Sequence, residues 1–418
     1  MVVSMSARKL PHLNVAVIGH HGHGKTTLVA ALTQLAARLP GNVTRPMQVT
    51  DLAKGGFRRR SGETETVETA QVALESGQRH SALADCPGRP ARHTATAVGT
   101  SGMDAAILVV SAVDSVMAQT REHVLLAREG GATRFVVFLN QCDRVDDPEL
   151  IDVAEVEVRQ LLVDLDLPGD DALIIRGAAL PALAGDVAWA SPIRRLLDAL
   201  DHELPLPARH PDAAPVFAIQ KVYPLRQGEP IVTGHLLRGT VRSGDTLALL
   251  GLGRDPSFVS VTSLEIFHER VASIGAGDCA GLRLRGMNRS QVTPVRGMVL
   301  AGPPALEPSS RFVAGVRLLD LDEGGRHTPI RNHHEAHFYL GTAGLTGRML
   351  LPKGLETLAP GSVAPGIEIE LRRPTRLEIG MRFSFKDGTD GLRHTRGGST
   401  PIWGGTAGTG TITAVIAG

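Results

Sequence analysis

Apolar and polar positions alternate along this chain in two rhythms, and the change falls near its middle. In the first half, compact apolar runs are separated by stretches with apolar residues three and four apart. Asn14–Ile18, Ala105–Ser111 and Phe135–Leu139 read as buried strands, with Ala70–Leu74, Ser81–Ala84 and the region of Ile174-Ile175 as further strands. Helical spacing marks Leu28–Leu39, Gln119–Gly130 with Leu125 and Leu126 on its inner face, and Pro192–Leu204. Strands alternating with helices imply a mostly parallel sheet covered on both faces.

Past the Pro-rich linker Pro205–Pro215 the runs shorten, become rich in Val, Ile, Leu and Thr, and are broken by Gly228, Pro230, Gly234, Gly239, Gly244 and Gly251. That texture belongs to small β-barrels or sandwiches. Pro303, Pro304 and Pro308 mark a second boundary. The expected architecture is therefore an α/β domain with a doubly wound sheet over residues 1–208, then two all-β barrel domains over 209–303 and 304–418. Between the first helix and the next strand, Pro40–Gly62 reads as a mobile loop. Its basic run Phe57-Arg58-Arg59-Arg60 is either a solvated face or a contact for RNA or phosphate.

Composition narrows the class. The chain has 418 residues, a net charge of +1 and 21% charged residues, so it is neither a strongly basic nucleic-acid binder nor a disordered tail. Cys86, Cys142 and Cys279 lie far apart without CxxC spacing, which speaks against a disulfide framework or zinc ribbon. No apolar run approaches a membrane span, and Met1–Leu10 lacks the apolar core of a signal peptide, so a cytoplasmic protein is expected.

The chemistry begins at Gly19-His20-His21-Gly22-His23-Gly24-Lys25-Thr26-Thr27, placed between a strand and a helix. This is G-x-x-x-x-G-K-[ST] in its required context. Gly19 and Gly24 let the backbone N–H groups curl toward phosphate oxygens, Lys25 supplies charge to the outer phosphates, and Thr26 is placed for Mg²⁺. Asp85-Cys86-Pro87-Gly88 ends the strand at Ser81–Ala84 with the D-x-x-G of a nucleotide switch. Asn140-Gln141-Cys142-Asp143 names the base: ionised Asp143 has only acceptors and so matches the paired donors of guanine. Asn140 would brace the loop or touch the ring, and Ala178-Ala179-Leu180 would offer a backbone N–H to the guanine oxygen. The nucleotide expected is GTP or GDP.

With these motifs in this order, the chain resembles the bacterial elongation factor Tu family along almost its whole length. Met117-Ala-Gln-Thr-Arg-Glu-His123, Val145-Asp146-Asp147, Val232-Thr-Gly-His235, Gly324-Gly-Arg-His-Thr-Pro329 and Phe338-Tyr-Leu carry the likeness beyond the nucleotide motifs. The resemblance implies a GTPase domain followed by two β-barrels, and GTP-dependent delivery of aminoacyl-tRNA to the ribosomal A site. It also implies a monomer whose nucleotide is exchanged by elongation factor Ts. By the same likeness, Thr66 would join Thr26 and Asp85 around Mg²⁺. Gln119 and His123 would meet the exchange factor, and Glu265 and Phe267 would line the pocket for the aminoacylated tRNA end.

Departures from the family pattern are concentrated at the switches. Where the family has a water-positioning His after its second switch, this chain has Arg89; the apolar gate positions are His21 and Glu65. The P-loop Asp is Gly22, the Lys of the guanine motif is Gln141, and Arg-Gly-Ile-Thr of the first switch is Glu63-Thr64-Glu65-Thr66. Arg89 would stabilise charge like an arginine finger, yet it has donors only and orients water poorly, which leaves His21 as a substitute imidazole. These changes set three readings side by side: a delivering GTPase, a regulatory or specialised paralogue with impaired hydrolysis, and a GTPase subunit assisting sulfate adenylylation. The barrel stretches weigh against the third. Gly388–Trp403 reads as an insertion, and His333, His334, Glu335 and His337 as a metal candidate by residue type, although strand alternation would turn His334 and His337 to opposite faces.

Overall fold

The computed structural model describes residues 10–53, 57–60, 63–66, 69–88, 102–223, 228–253, 255–267, 269–287, 297–303, 307–321, 323–387, 393–395, 398–400 and 406–416. Its contacts divide the chain into two units, one running to residue 207 and one from residue 208 onward.

Among the described residues the first unit carries eight strands: His12–Ile18 (β1), Phe57–Arg60 (β2), Glu63–Thr66 (β3), Ala70–Glu75 (β4), His80–Asp85 (β5), Ala105–Ser111 (β6), Arg134–Asn140 (β7) and Ile174–Arg176 (β8). Six of them form one sheet in the order β4-β5-β1-β6-β7-β8. β5, β1, β6, β7 and β8 run parallel, and β4 joins the edge antiparallel to β5. Every residue of β6 is buried, as a strand covered on both faces requires. On one face Leu13, Val15 and Val17 pack against Leu28 and Leu32 of the helix Lys25–Ala36 and Leu196, Leu197 and Leu200 of the helix Val187–His202. The parallel register sets Ser111 beside Asn140, so the carboxyl ends of neighbouring strands deliver their loops to one edge.

Three sequence expectations shift. The first helix starts at Lys25 and ends at Ala36, because Gly24 at φ 89° supplies the left-handed turn into it. Leu39 then packs against the core from a following turn, in which its N–H bonds the Ala36 carbonyl. The closing helix begins at Val187, ahead of Pro192, where the Asp186 side chain accepts from the Ala188 N–H at 2.9 Å. Pro40–Gly62 is not wholly loop: Val49–Ala53 is helical, and β2 pairs antiparallel with β3, with Arg58 opposite Glu65 and Arg60 opposite Glu63. The side chains of those two strands lie outside the described residues, as do residues 54–56 and 61–62.

The second unit holds two antiparallel barrels. In the first, Thr246–Leu250, Val299–Ala301, Val216–Tyr223, Ile231–Arg238, Cys279–Arg285 and Ser257–Ile266 follow one another around the ring, and pairing of the first with the last closes it. Phe217, Val232, Leu249, Val261 and Leu282 fill its interior. In the second, Ser309–Leu318, Val363–Thr375, Ala343–Leu350, His334–Leu340, Arg382–Asp387 and Gly408–Ile416 close around Phe312, Phe338, Phe383 and Phe385. Closure satisfies each backbone ladder and removes free edges. Within the proposed insertion, Arg393–Thr395 pairs with Gly398–Thr400, and the rest of Gly388–Trp403 lies outside the described residues. Among the described residues no helix is long and apolar enough to cross a membrane.

Candidate functional site

The glycines of the first motif are there because the backbone needs them. Gly19, Gly22 and Gly24 have φ of 137°, 84° and 89°. A Cβ on Gly19 would lie 2.1 Å from the Val109 carbonyl oxygen, and one on Gly24 would lie 2.3 Å from Asn140 Nδ2. The loop is thus pressed between the tips of β6 and β7. Lys25 folds back under it, its Nζ donating to the carbonyls of Gly19 and His20 at 2.8 Å each. Burial lowers the Lys25 ammonium to about 8, against the opposing pull of Asp85. His20 and His21 are half-buried and Gly22 is exposed, whereas His23 is fully buried, its ring 5.0 Å from that of His20. His23 is thus set apart from its two neighbours in the loop, with no surface exposed to solvent. Burial holds its imidazole neutral, down to about 4, with His20 and Lys25 adding to the effect.

Asp85-Cys86-Pro87-Gly88 lies directly against this loop. Thr26 Oγ1 donates to Asp85 Oδ2 at 2.7 Å, and the His21 N–H donates to the Gly88 carbonyl at 3.1 Å. A Cβ on Gly88 would come within 2.5 Å of Lys25 Nζ, so only glycine allows that approach. Burial raises the Asp85 carboxyl to about 6, opposed by the Thr26 hydrogen bond and by Lys25. Its Oδ1 is buried with no hydrogen-bond partner among the described residues. A hydroxyl and an orphaned carboxylate oxygen side by side are the hard oxygen donors that Mg²⁺ takes, so Thr26 and Asp85 would hold such an ion. Bound there, it would neutralise charge on the outer phosphates of a nucleotide. Thr66 sits in β3 with its side chain outside the described residues, and Arg89 lies outside them altogether.

The base motif is tied to the phosphate motif by two adjacent side chains. Asn140 is 2% exposed; its Nδ2 donates to the His23 carbonyl and its Oδ1 accepts from the Ala179 N–H, both at 2.8 Å. Of Ala178, Ala179 and Leu180, the middle residue therefore spends its N–H on Asn140 rather than offering it outward. Gln141, at φ 64°, donates from Nε2 to the Gly22 carbonyl at 2.9 Å. Cys142 is buried, its Sγ 3.2 Å from the Leu139 carbonyl oxygen, and burial raises its thiol. Cys86 is likewise buried and pushed up to about 12, by burial first and by Asp85 second. Asp143 is exposed, with its carboxylate free to meet donors from outside.

Other expected residues lie apart from this cluster or play a different part in it. His123 is 2% exposed, and its Nδ1 accepts from the Gly19 N–H at 3.3 Å, so it braces the P-loop from behind instead of presenting a surface. Gln119, one turn earlier on the helix Ala118–Gly130, is half-buried. Glu265 and Phe267 belong to the second unit; Glu265 lies 3.9 Å from Arg270, and Phe267 has φ 46° at a strand end. His334 Nε2 is 2.7 Å from Asp387 Oδ1, and the His337 ring meets Tyr339 edge-on at 5.0 Å. Among the described residues no three His, Cys, Asp or Glu side chains are grouped to hold a metal.

Sequence reasoning passed over Ser111. Its hydroxyl accepts the N–H groups of Val113 and Asp114, at 3.2 Å each, and donates to Gln141 Oε1 at 3.0 Å. The available signal was a hydroxyl ending an otherwise apolar strand at its carboxyl edge.

Family models match nearly the whole chain in order. The elongation factor Tu GTP binding domain matches residues 10–206, elongation factor Tu domain 2 matches residues 230–301, and the elongation factor Tu C-terminal domain matches residues 305–392.

Proposed function

Because the chain belongs to the elongation factor Tu family of translational GTPases, we propose that it binds GTP with Mg²⁺, carries aminoacyl-tRNA to the ribosomal A site and hydrolyses GTP there. The observation that carries this reading is the tie between base and phosphate loops: Asn140 holds the His23 carbonyl while Asp143 stays exposed beside it. A guanine base bound by Asp143 would then be held in fixed register with phosphates over Lys25 and Thr26. The same reading takes elongation factor Ts as exchange partner, with Gln119 the accessible part of its contact, and a monomer working in the cytoplasm. Glu265 and Phe267 would receive the aminoacylated end of the tRNA.

Protection of the aminoacyl ester tests the proposal. The half-life of an aminoacyl-tRNA ester is measured with the protein in GTP and in GDP, followed by turnover on programmed ribosomes. Longer ester life in GTP alone, with ribosome-stimulated hydrolysis, is expected; equal ester decay in both nucleotides would remove the delivery role.

One residue favours a second reading. Position 89 is Arg, which has hydrogen-bond donors and no acceptor for a water proton. A GTP-binding paralogue with impaired hydrolysis, regulatory or specialised, would protect the ester and leave the turnover slow.

A further inference from the structure

Three loops meet at Gln141, and each leaves a hydrogen bond on its side chain. Nε2 donates to the Gly22 carbonyl of the phosphate loop at 2.9 Å. Oε1 accepts from the Ser111 hydroxyl at the tip of β6, at 3.0 Å, and from Arg144 Nη1 at 3.2 Å. An Asn or Gln side chain offers two donors and one carbonyl oxygen with two lone pairs, so that oxygen is fully used. The backbone pays in conformation: Gln141 stands at φ 64°, a left-handed geometry that few non-glycine residues adopt unless their surroundings enforce it.

The Ser111 hydroxyl is equally constrained. Its two lone pairs face the N–H groups of Val113 and Asp114. It can therefore only donate, and needs an acceptor at position 141. Glutamine supplies one. The lysine that the family motif carries at this place has donors only, and would meet a hydroxyl with no lone pair left to receive it. The register of β6 and β7, which sets Ser111 beside Asn140, fixes the encounter.

Resting on the guanine-nucleotide reading above, we propose that Ser111 and Gln141 are a matched positioning pair. They hold the loop of Asp143 against the phosphate loop, so that retention of guanine nucleotide depends on both side chains together. Asn140 does the parallel job one residue earlier, through the His23 carbonyl. Consecutive carbonyls of the phosphate loop are thus gripped by consecutive side chains of the base loop, and Ser111 locks the outer grip. Gln141 is not a weakened lysine but half of a different lock.

A double-mutant cycle tests the pair. Dissociation of N-methylanthraniloyl-GDP is timed for the full chain with Mg²⁺, for Ser111→Ala, for Gln141→Lys and for the double variant. Gln141→Lys should speed release about tenfold in the native background and no more than about threefold in the Ser111→Ala background. Each single variant should also narrow the preference for GDP over inosine diphosphate, which lacks the 2-amino group that Asp143 would meet. A loss of general stability would lower the melting temperature and leave that preference alone. Additive fold-changes, or an unchanged preference, would overturn the pairing. A native chain that retains no GDP would overturn the nucleotide reading itself, and is distinguished at the first measurement.

Discussion

The Thr26 hydroxyl donates to Asp85 Oδ2 across 2.7 Å, joining the first residues of the Lys25–Ala36 helix to the end of β5. The bond leaves the second carboxylate oxygen buried with no hydrogen-bond partner among the described residues, and burial raises the carboxyl to about 6 from 3.8. The folded chain without a cation therefore holds this proton more tightly than the unfolded chain does. In stability terms the contribution is full below pH 4 and is lost as pH climbs through 6.

Cation binding runs the other way, because Mg²⁺ needs the ionised carboxylate. The Mg²⁺-dependent part of GDP affinity should fall up to about tenfold between pH 7 and pH 5, with the steepest change near 6. Asp85→Asn should remove both the Mg²⁺ dependence and this pH dependence. Isothermal titration with and without Mg²⁺ at the two pH values checks it; a pH-independent Mg²⁺ effect in the native chain would contradict it.

Gly24 and Asn140 form a second testable pair. Gly24→Ala would place a methyl group 2.3 Å from Asn140 Nδ2 at a backbone φ of 89°, so it strains the loop and evicts the amide at once. GDP retention should drop by at least about 100-fold, on the order of 3 kcal/mol. Asn140→Ala would leave the His23 carbonyl and the Ala179 N–H without their partner. Each such buried group costs roughly 1–3 kcal/mol, and urea denaturation should show the loss even without nucleotide.

In the first barrel, His235 is 2% exposed with Nδ1 3.1 Å from Cys279 Sγ. Burial, aided by Arg209, lowers this imidazole to about 4, while the unfolded chain titrates near 6.5. A depressed folded value means that stability is present above pH 6.5 and is lost as pH falls toward 4. His23 acts in the same direction in the first unit. His235→Gln should therefore flatten the acid limb, removing roughly 2 kcal/mol of the difference between pH 7 and pH 4.5. Urea midpoints at the two pH values measure it.

Residue 89 gives a kinetic prediction drawn from chemical type alone. If Arg89 slows the attack of water, Arg89→His should raise single-turnover GTP hydrolysis on programmed ribosomes about 10²–10³-fold. Equal rates for the two proteins would discard the impaired-hydrolysis reading.

The parallel sheet, the barrels and the placing of three motifs at strand ends were legible because each depends on local pattern: unbroken apolar strands, glycines at loops, motifs directly after strands; the strand order β4-β5-β1-β6-β7-β8 was not. What escaped depends on partners distant in sequence. Ser111 reads in sequence only as the last residue of a buried strand, and the acceptor of its hydrogen bond, Gln141 Oε1, lies 30 residues on. His123 carried a surface role by likeness, whereas Gly19, 104 residues earlier, takes it into the interior. The helix at Val49–Ala53 and the β2–β3 hairpin hid in a glycine-punctuated stretch, where punctuation outweighed two short pairing segments. Helical spacing places the last helix from Pro192, whereas the cap that sets its start, Asp186, lies six residues ahead.

The hydrogen bond from the His21 amide to the Gly88 carbonyl has a dynamic cost and a use. One amide hydrogen cannot serve a peptide oxygen and a phosphoryl oxygen at full strength together. An anion that claims the His21 amide would compete with the Gly88 carbonyl for it. On the guanine-nucleotide reading, arrival of a phosphate and release of Gly88 would then be a single exchange of acceptors, a latch whose key would be the phosphate itself.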